Sequence, residues 1–252
     1  MNRFENKVVI ITGCSKGLGV QIAVDFAKEG AKVVMNARTE SGLIETLAKV
    51  KTVDGEGLYV VGDASKEETW QEIITKAKDK YGKIDILVNN CGVFAGSTID
   101  KTTLEDWNTV IANDLTSCFL GMHYVVPNMR EVGKGVIINL SSSTSIGHKN
   151  MFPSVAYSAS KAGINGLSAE VANIEAKNNI RVIALCPNGI NTGMGDMVPK
   201  EVVKMIEADC PLPPHTCEMY DVSNVLLFLA SDEARIITGT SVVADCCQTC
   251  QG

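Results

Sequence analysis

Apolar runs of four to six residues, rich in Val and Ile, alternate with helix-length amphipathic segments from one end of the chain to the other. Runs that short and that uniformly apolar read as strands buried on both faces, and their alternation with helical stretches reads as βαβ units winding a parallel sheet. The pattern predicts strands over 7–12, 32–36, 57–62, 84–89, 135–140, 180–186 and 241–244, and helices over 17–29, 41–52, 67–81, 103–130, 154–178 and 221–231. The fold class expected is therefore α/β, a doubly wound (Rossmann) parallel sheet of seven strands with helices on both faces. No repeat, low-complexity tract or Pro/Gly-rich linker interrupts the pattern, so residues 1–252 are expected to form a single domain. Only 190–216 breaks the rhythm, with Met194, Met197, Met205, Leu212 and the prolines at 211, 213 and 214. A segment so apolar and irregular suits a lid or substrate wall. The alternative is a surface loop with a short helix over 199–209 packed on the core.

Composition narrows the partners more than the fold. The 252 residues are 45% hydrophobic, enough for a large buried core, and the net charge is −6 with no Lys/Arg block. That balance argues against a nucleic-acid groove or a polybasic membrane patch, and favours a small-molecule partner. The opening Met1-Asn2-Arg3-Phe4 leads into a strand too short for a signal peptide or membrane span, so a cytoplasmic location is the expectation. Nine scattered cysteines fit reduced thiols better than a disulfide framework. Cys246-Cys247-x-x-Cys250 has the short spacing of a zinc site, but no second C-x-x-C pair and only three His accompany it, so no metal is expected.

The first strand runs into Thr12-Gly13-Cys14-Ser15-Lys16-Gly17-Leu18-Gly19 and then an amphipathic helix. Glycines at such a junction let the backbone turn sharply against a pyrophosphate, whose charge is favoured by the free N–H groups of the helix start. After the second strand, where an acidic residue would bind a ribose 2′-hydroxyl, the chain has Ala37 and Arg38. A guanidinium there pairs with a 2′-phosphate, and Lys16 adds a second positive charge, so NADP(H) is expected over NAD(H). Tyr157 and Lys161 stand four apart, on one face of a predicted helix. Tyrosine ionises near pH 10 in isolation, but a neighbouring ammonium favours the phenolate, which suits it to exchange a proton with an alcohol or alkoxide. Ser141-Ser142-Ser143 ends the fifth strand, at the carboxyl edge where open α/β sheets bind ligands.

Taken together, the Gly-rich turn, Asn89-Asn90-Cys91-Gly92, the serine run and Tyr157-Ser158-Ala159-Ser160-Lys161 resemble the short-chain dehydrogenase/reductase family over essentially the whole chain. The resemblance implies an oxidoreductase that interconverts a secondary alcohol and a ketone. By the family pattern Ser142 holds the substrate oxygen, although Ser143 is one residue away and leaves the register open, and Lys161 also holds the nicotinamide ribose. The same pattern assigns Gly13, Ser15, Lys16, Gly17, Leu18, Gly19 and Arg38 to the cofactor. It adds Asp63 with Ala64 at the adenine, Asn89 on the adenosine side, and Ile190 with Thr192 near the nicotinamide carboxamide. It also implies a dimer or tetramer built on the helices at 103–130 and 154–178.

Departures from that pattern are several. Cys91 replaces the usual Ala, a swap expected to affect packing. Pro187-Asn188-Gly189-Ile190 is similar to an arrangement in some hydroxysteroid dehydrogenases, and Asp245-Cys246-Cys247 stands where Asp-Gly-Gly is usual. Asp114 takes the place of the tetrad Asn, with Asn113 just before it. The Met-rich segment and the lack of a positive substrate patch point to a bulky apolar substrate such as a hydroxysteroid, bile acid or terpenoid. A 3-oxoacyl carrier-protein reductase is the enzymatic alternative, although its acidic partner calls for exposed basic residues at the site mouth. Asp114 and the altered terminal motif also leave open a regulatory protein that keeps the dinucleotide fold without turnover.

Overall fold

In the computed structural model, which describes residues 2–146, 153–191 and 200–250, every predicted apolar run is a strand of one sheet. These strands are β1 (Val8–Thr12), β2 (Lys32–Ala37), β3 (Glu56–Val61), β4 (Ile86–Asn89), β5 (Gly135–Leu140), β6 (Ile180–Pro187) and β9 (Ser241–Ala244). All pair in parallel in the order β3-β2-β1-β4-β5-β6-β9. The order reverses between β1 and β4, so the loops that follow these two strands leave in opposite directions and open a crevice at the carboxyl edge. Val9, Ile10 and Ile11 of β1 are buried completely, as a central strand covered on both faces requires.

Six long helices cover the two faces: α1 (Leu18–Lys28), α2 (Glu40–Lys51), α3 (Glu67–Tyr81), α5 (Ser117–Val132), α6 (Val155–Glu175) and α8 (Met219–Ala230). Two apolar cores result. Phe4, Phe26 and Leu43 pack with α1, α2 and α8 on one face, and Trp70, Ile73 and Met129 with α3 and α5 on the other. The Trp70 indole N–H finds a partner in the Ala64 carbonyl at 2.8 Å, which allows so large a side chain to be buried fully.

The predicted helix over 103–130 requires correction. Its sequence is helical throughout, but the structure divides it into α4 (Leu104–Val110), a π-helical turn (Ile111–Thr116) and α5. Thr103 and Asp106 form a capping box that starts α4, while the widened turn arises where Asp114 is drawn into the interior by partners on other elements. Two short strands also escape the sequence pattern. β7 (Ile190–Asn191) and β8 (Cys217–Glu218) pair in parallel and close the base of the 190–216 excursion. Within that excursion lies α7 (Lys200–Asp209). Thr192, Met194 and Met197 lie outside the described residues. No helix among the described residues is long and apolar enough to cross a membrane.

Candidate active site

Thr12 joins the two strands that flank the crevice. Its hydroxyl accepts from the backbone N–H groups of Asn90 (3.0 Å) and Cys91 (3.1 Å), while the Asn90 amide donates back to the Thr12 carbonyl at 2.9 Å. Against this joint the glycine turn is pressed tightly. Gly13 has φ +75°, and a Cβ on Gly19 would stand 2.2 Å from the Gly13 carbonyl oxygen, so neither position tolerates a side chain. Gly17 caps α1 without any side-chain hydrogen bond, which leaves the N–H groups of Leu18 and Gly19 at an anion-binding helix start. Thr46 of α2 fixes the turn from behind, donating to the Cys14 carbonyl at 2.7 Å. Half-buried Ser15 lies against Gly42, whose missing Cβ allows the approach. A cradle of bare backbone ending on a helix start fits the pyrophosphate of a dinucleotide.

Around this cradle the other sequence-predicted cofactor residues divide. Lys16 and Arg38 are exposed, and Arg38 reaches Asn113 Oδ1 at 3.4 Å, which places its guanidinium over the π-helical turn. Asp63 is nearby. Burial pushes its carboxyl up, but the Ser65 N–H and hydroxyl together with the charges of Arg38 and Lys66 outweigh that and hold it below the usual range. The Asn89 amide instead points into the core, where it donates to Asn139 Oδ1 at 2.8 Å. Its side chain ties β4 to β5 and does not line the crevice. Ile190 packs against the core beside β8.

At the carboxyl edge of β5 the predicted chemistry converges. Asn139 donates to Ser168 Oγ at 2.9 Å and Ser141 Oγ donates to the Lys161 carbonyl at 3.0 Å, so α6 is held on the sheet. That places Lys161 Nζ 2.9 Å from the Leu140 carbonyl and 3.6 Å from Asp114 Oδ2, with the residue 3% exposed. The ammonium also lies 5.3 Å from the centroid of the Tyr157 ring. Burial alone pulls the Lys161 pKa down, yet the Tyr157 and Asp114 charges, with smaller help from Cys118 and Cys91, raise it above the ordinary value. Lys161 is therefore a fixed positive charge beside the phenol.

Asp114 is 1% exposed and fully engaged. Oδ1 accepts from the Val93 N–H at 2.8 Å and Oδ2 from the Ser160 hydroxyl at 3.1 Å, a hydroxyl that also lies 2.8 Å from the Tyr157 carbonyl. The Cys91 thiol donates toward the Asn113 carbonyl at 3.7 Å, so this departure ties β4 to the π-helical turn as well as filling space. Ser142 and Ser143 differ in their engagements. Ser143 Oγ donates to Gln248 Oε1 at 2.7 Å, whereas Ser142 Oγ accepts from the Thr144 N–H at 3.3 Å and keeps its own hydrogen to offer.

Three residues at this site were not singled out from the sequence. Phe94, 59% exposed, stands edge-on to Tyr157 with centroids 5.2 Å apart, held there by Val93 at one end and by the Ser97–Ser154 bridge at the other. Its only signal is an aromatic two residues after Asn-x-Gly. Ser160 sits inside the Tyr-x-x-x-Lys stretch, where a Ser reads as filler. Gln248 lies 105 residues from Ser143 and has no local signal.

Comparison with known proteins agrees with this geometry. A family model described as short chain dehydrogenase matches residues 7–202. The chain is 34% identical over 247 residues to a 2,5-dichloro-2,5-cyclohexadiene-1,4-diol dehydrogenase from Sphingobium indicum, covering 97% of this chain and 96% of that protein. It is 35% identical to a 3beta-hydroxysteroid dehydrogenase from Eggerthella lenta, covering 96% and 93%. A crystal structure from Burkholderia xenovorans, assigned to the short-chain dehydrogenases/reductases, superposes with a TM-score of 0.94 at 30% identity over 100% of both chains.

Proposed function

This chain belongs to the short-chain dehydrogenase family, an oxidoreductase acting on secondary alcohols with a nicotinamide dinucleotide, and we propose that it is an NADP(H)-dependent enzyme for a bulky apolar ring alcohol or its ketone. The observation that carries the substrate reading is Phe94, an aromatic face left 59% exposed beside the Tyr157 phenol. An exposed aromatic at a catalytic cleft favours an apolar ring over a polar chain. Exposed Met205 of α7 and Leu212 after it add apolar surface on the 190–216 segment, which we read as the substrate wall. A hydroxysteroid, bile acid or terpenoid meets these demands, and a hydroxysteroid dehydrogenase is among the relatives.

When bound, the cofactor supplies the hydride exchange; the glycine turn and the start of α1 hold its pyrophosphate, and Lys161 its nicotinamide ribose. The protein's own part is the proton. Tyr157 exchanges it with the substrate oxygen, Ser142 donates a hydrogen bond to that oxygen, and buried Lys161 stabilises the phenolate by its fixed charge. A panel of 3-ketosteroids, terpenoid ketones and an acetoacetyl thioester, followed by NADPH absorbance, tests the substrate class. Fastest kcat/KM on the ring ketones is expected; preference for the thioester would replace this reading with that of an acyl reductase.

The preference for NADP(H) rests on Arg38 and Lys16 standing exposed at the edge of the cradle, where Ala37 offers no carboxylate. Asp63 is a competing charge within reach of Arg38, and it is already offset by Ser65, Arg38 and Lys66. Charge-assisted hydrogen bonds to a 2′-phosphate are roughly twice as strong as neutral ones. Arg38→Asp is therefore expected to turn the preference from NADPH toward NADH, read as the ratio of kcat/KM for the two. Wild-type protein that already prefers NADH would remove the basis for the assignment.

A further inference from the structure

The altered motif after the last strand has a structural consequence at the serine turn. Buried Asp245 folds the chain back on itself, its carboxylate accepting from the N–H groups of Cys247 (3.0 Å) and Thr249 (2.7 Å). Asn188, the extra residue between Pro187 and Gly189, donates to the Asp245 carbonyl at 3.1 Å, and the Leu212 N–H donates to the Cys246 carbonyl at 3.1 Å. Cys246 and Cys247 are thereby held at φ 54° and 66°, the left-handed region that suits glycine. A turn retained in spite of that strain is over-determined by its surroundings, which marks it as a place to look for function.

What this turn delivers is Gln248. Its Oε1 accepts from Ser143 Oγ at 2.7 Å, and its Nε2 donates to Asp209 Oδ2 at 2.6 Å. The carboxylate can only accept, so the amide has a single orientation that satisfies both ends. Ser143 belongs to the turn that carries Ser142, and Asp209 is the last residue of α7. We propose that Gln248 is a positioning residue that couples the placement of α7, on the substrate wall, to the placement of the catalytic serine turn. By taking the Ser143 hydrogen it fixes that hydroxyl away from the substrate oxygen and leaves Ser142 to address it. This inference rests on the assignment of Ser142 made above.

The test uses Gln248→Leu, which keeps the volume and removes both bonds, together with Ser143→Ala, the double variant, and Asp209→Asn as the conservative change that retains an acceptor. Cyclohexanone with NADPH serves as the reporter reaction, and hydrogen exchange of the 141–146 amides as a readout that needs no turnover. For Gln248→Leu, kcat is expected to fall about tenfold with KM within about twofold, the signature of lost transition-state alignment. Its 141–146 amides are expected to exchange faster, and Asp209→Asn to stay near wild type. Adding Gln248→Leu to Ser143→Ala should cost little more in kcat, because each already breaks the Ser143–Gln248 bond through which the coupling reaches the serine turn. Unchanged exchange and kcat in Gln248→Leu, or losses that multiply in the double variant, would overturn the coupling. Full activity of Ser142→Ala would instead overturn the serine assignment while leaving the Ser143–Gln248–Asp209 bridge in place.

Discussion

Tyr157→Phe is expected to lose turnover by about 10²–10⁴-fold, the range that a positioned proton donor or acceptor contributes, while cofactor binding changes by less than about twofold on the same scale of argument. The ring itself has structural work that phenylalanine retains. It meets Phe94 edge-on at 5.2 Å and lies under the Lys161 ammonium at 5.3 Å, and neither contact involves the hydroxyl. What disappears is the hydroxyl proposed to give or take the proton at the substrate oxygen. Lys161→Ala is a different lesion. It removes the charge that favours the phenolate, a bond to the Leu140 carbonyl and the proposed hold on the nicotinamide ribose, so both turnover and cofactor binding should fall. Titration of NADPH fluorescence against each variant, beside steady-state assays, separates the two. A Tyr157→Phe enzyme as active as wild type would end this mechanism.

Much of this arrangement is legible in the sequence because its causes are local. The Val/Ile runs of β1, β2, β4, β5 and β6 become central strands because a sheet covered on both faces buries them, whereas the edge strands β3 and β9 stay partly exposed, and the glycines at 13 and 19 announce a backbone packed too closely for a Cβ. Tyr157 and Lys161 are readable as a pair from helical spacing alone. The remainder depends on contacts that spacing does not encode. The π-helical turn at Ile111–Thr116 follows from where the Asp114 carboxylate finds partners, namely the Val93 N–H and the Ser160 hydroxyl, not from any residue unsuited to an α-helix. The family pattern puts Asn89 on the adenosine side, yet its side chain falls on the core side of the pleat and pairs with Asn139. The bond between Ser143 and Gln248, 105 residues apart, likewise has no signal in local spacing.

Asp114→Asn is expected to give a folded, active enzyme, with activity kept or increased and the pH optimum for alcohol oxidation moved downward. Local bonding permits the exchange. An asparagine oxygen can still accept from the Val93 N–H, and its amino group can donate to Ser160, whose own hydrogen then goes to the Tyr157 carbonyl that already lies 2.8 Å away. The change is one of charge. A carboxylate 3.6 Å from Lys161 offsets part of the ammonium field that Tyr157 would otherwise feel, and it sets a negative charge near a phenol that must itself become negative. Without it the ammonium field at the phenol is stronger, which favours the negative form the base must take. Burial pulls Lys161 toward its neutral form, and loss of Asp114 removes one of the charges that oppose this; the other, on Tyr157, acts only once the phenol has ionised. Asp114→Ala is the severe variant. It orphans the Val93 N–H and the Ser160 hydroxyl and leaves a buried ammonium without its carboxylate, at a cost of about 3 kcal/mol or more in stability. Chemical denaturation should therefore separate the two substitutions, and pH–rate profiles should separate Asp114→Asn from wild type. Near-complete inactivation of a well-folded Asp114→Asn protein would refute this account and give the carboxylate a catalytic role of its own.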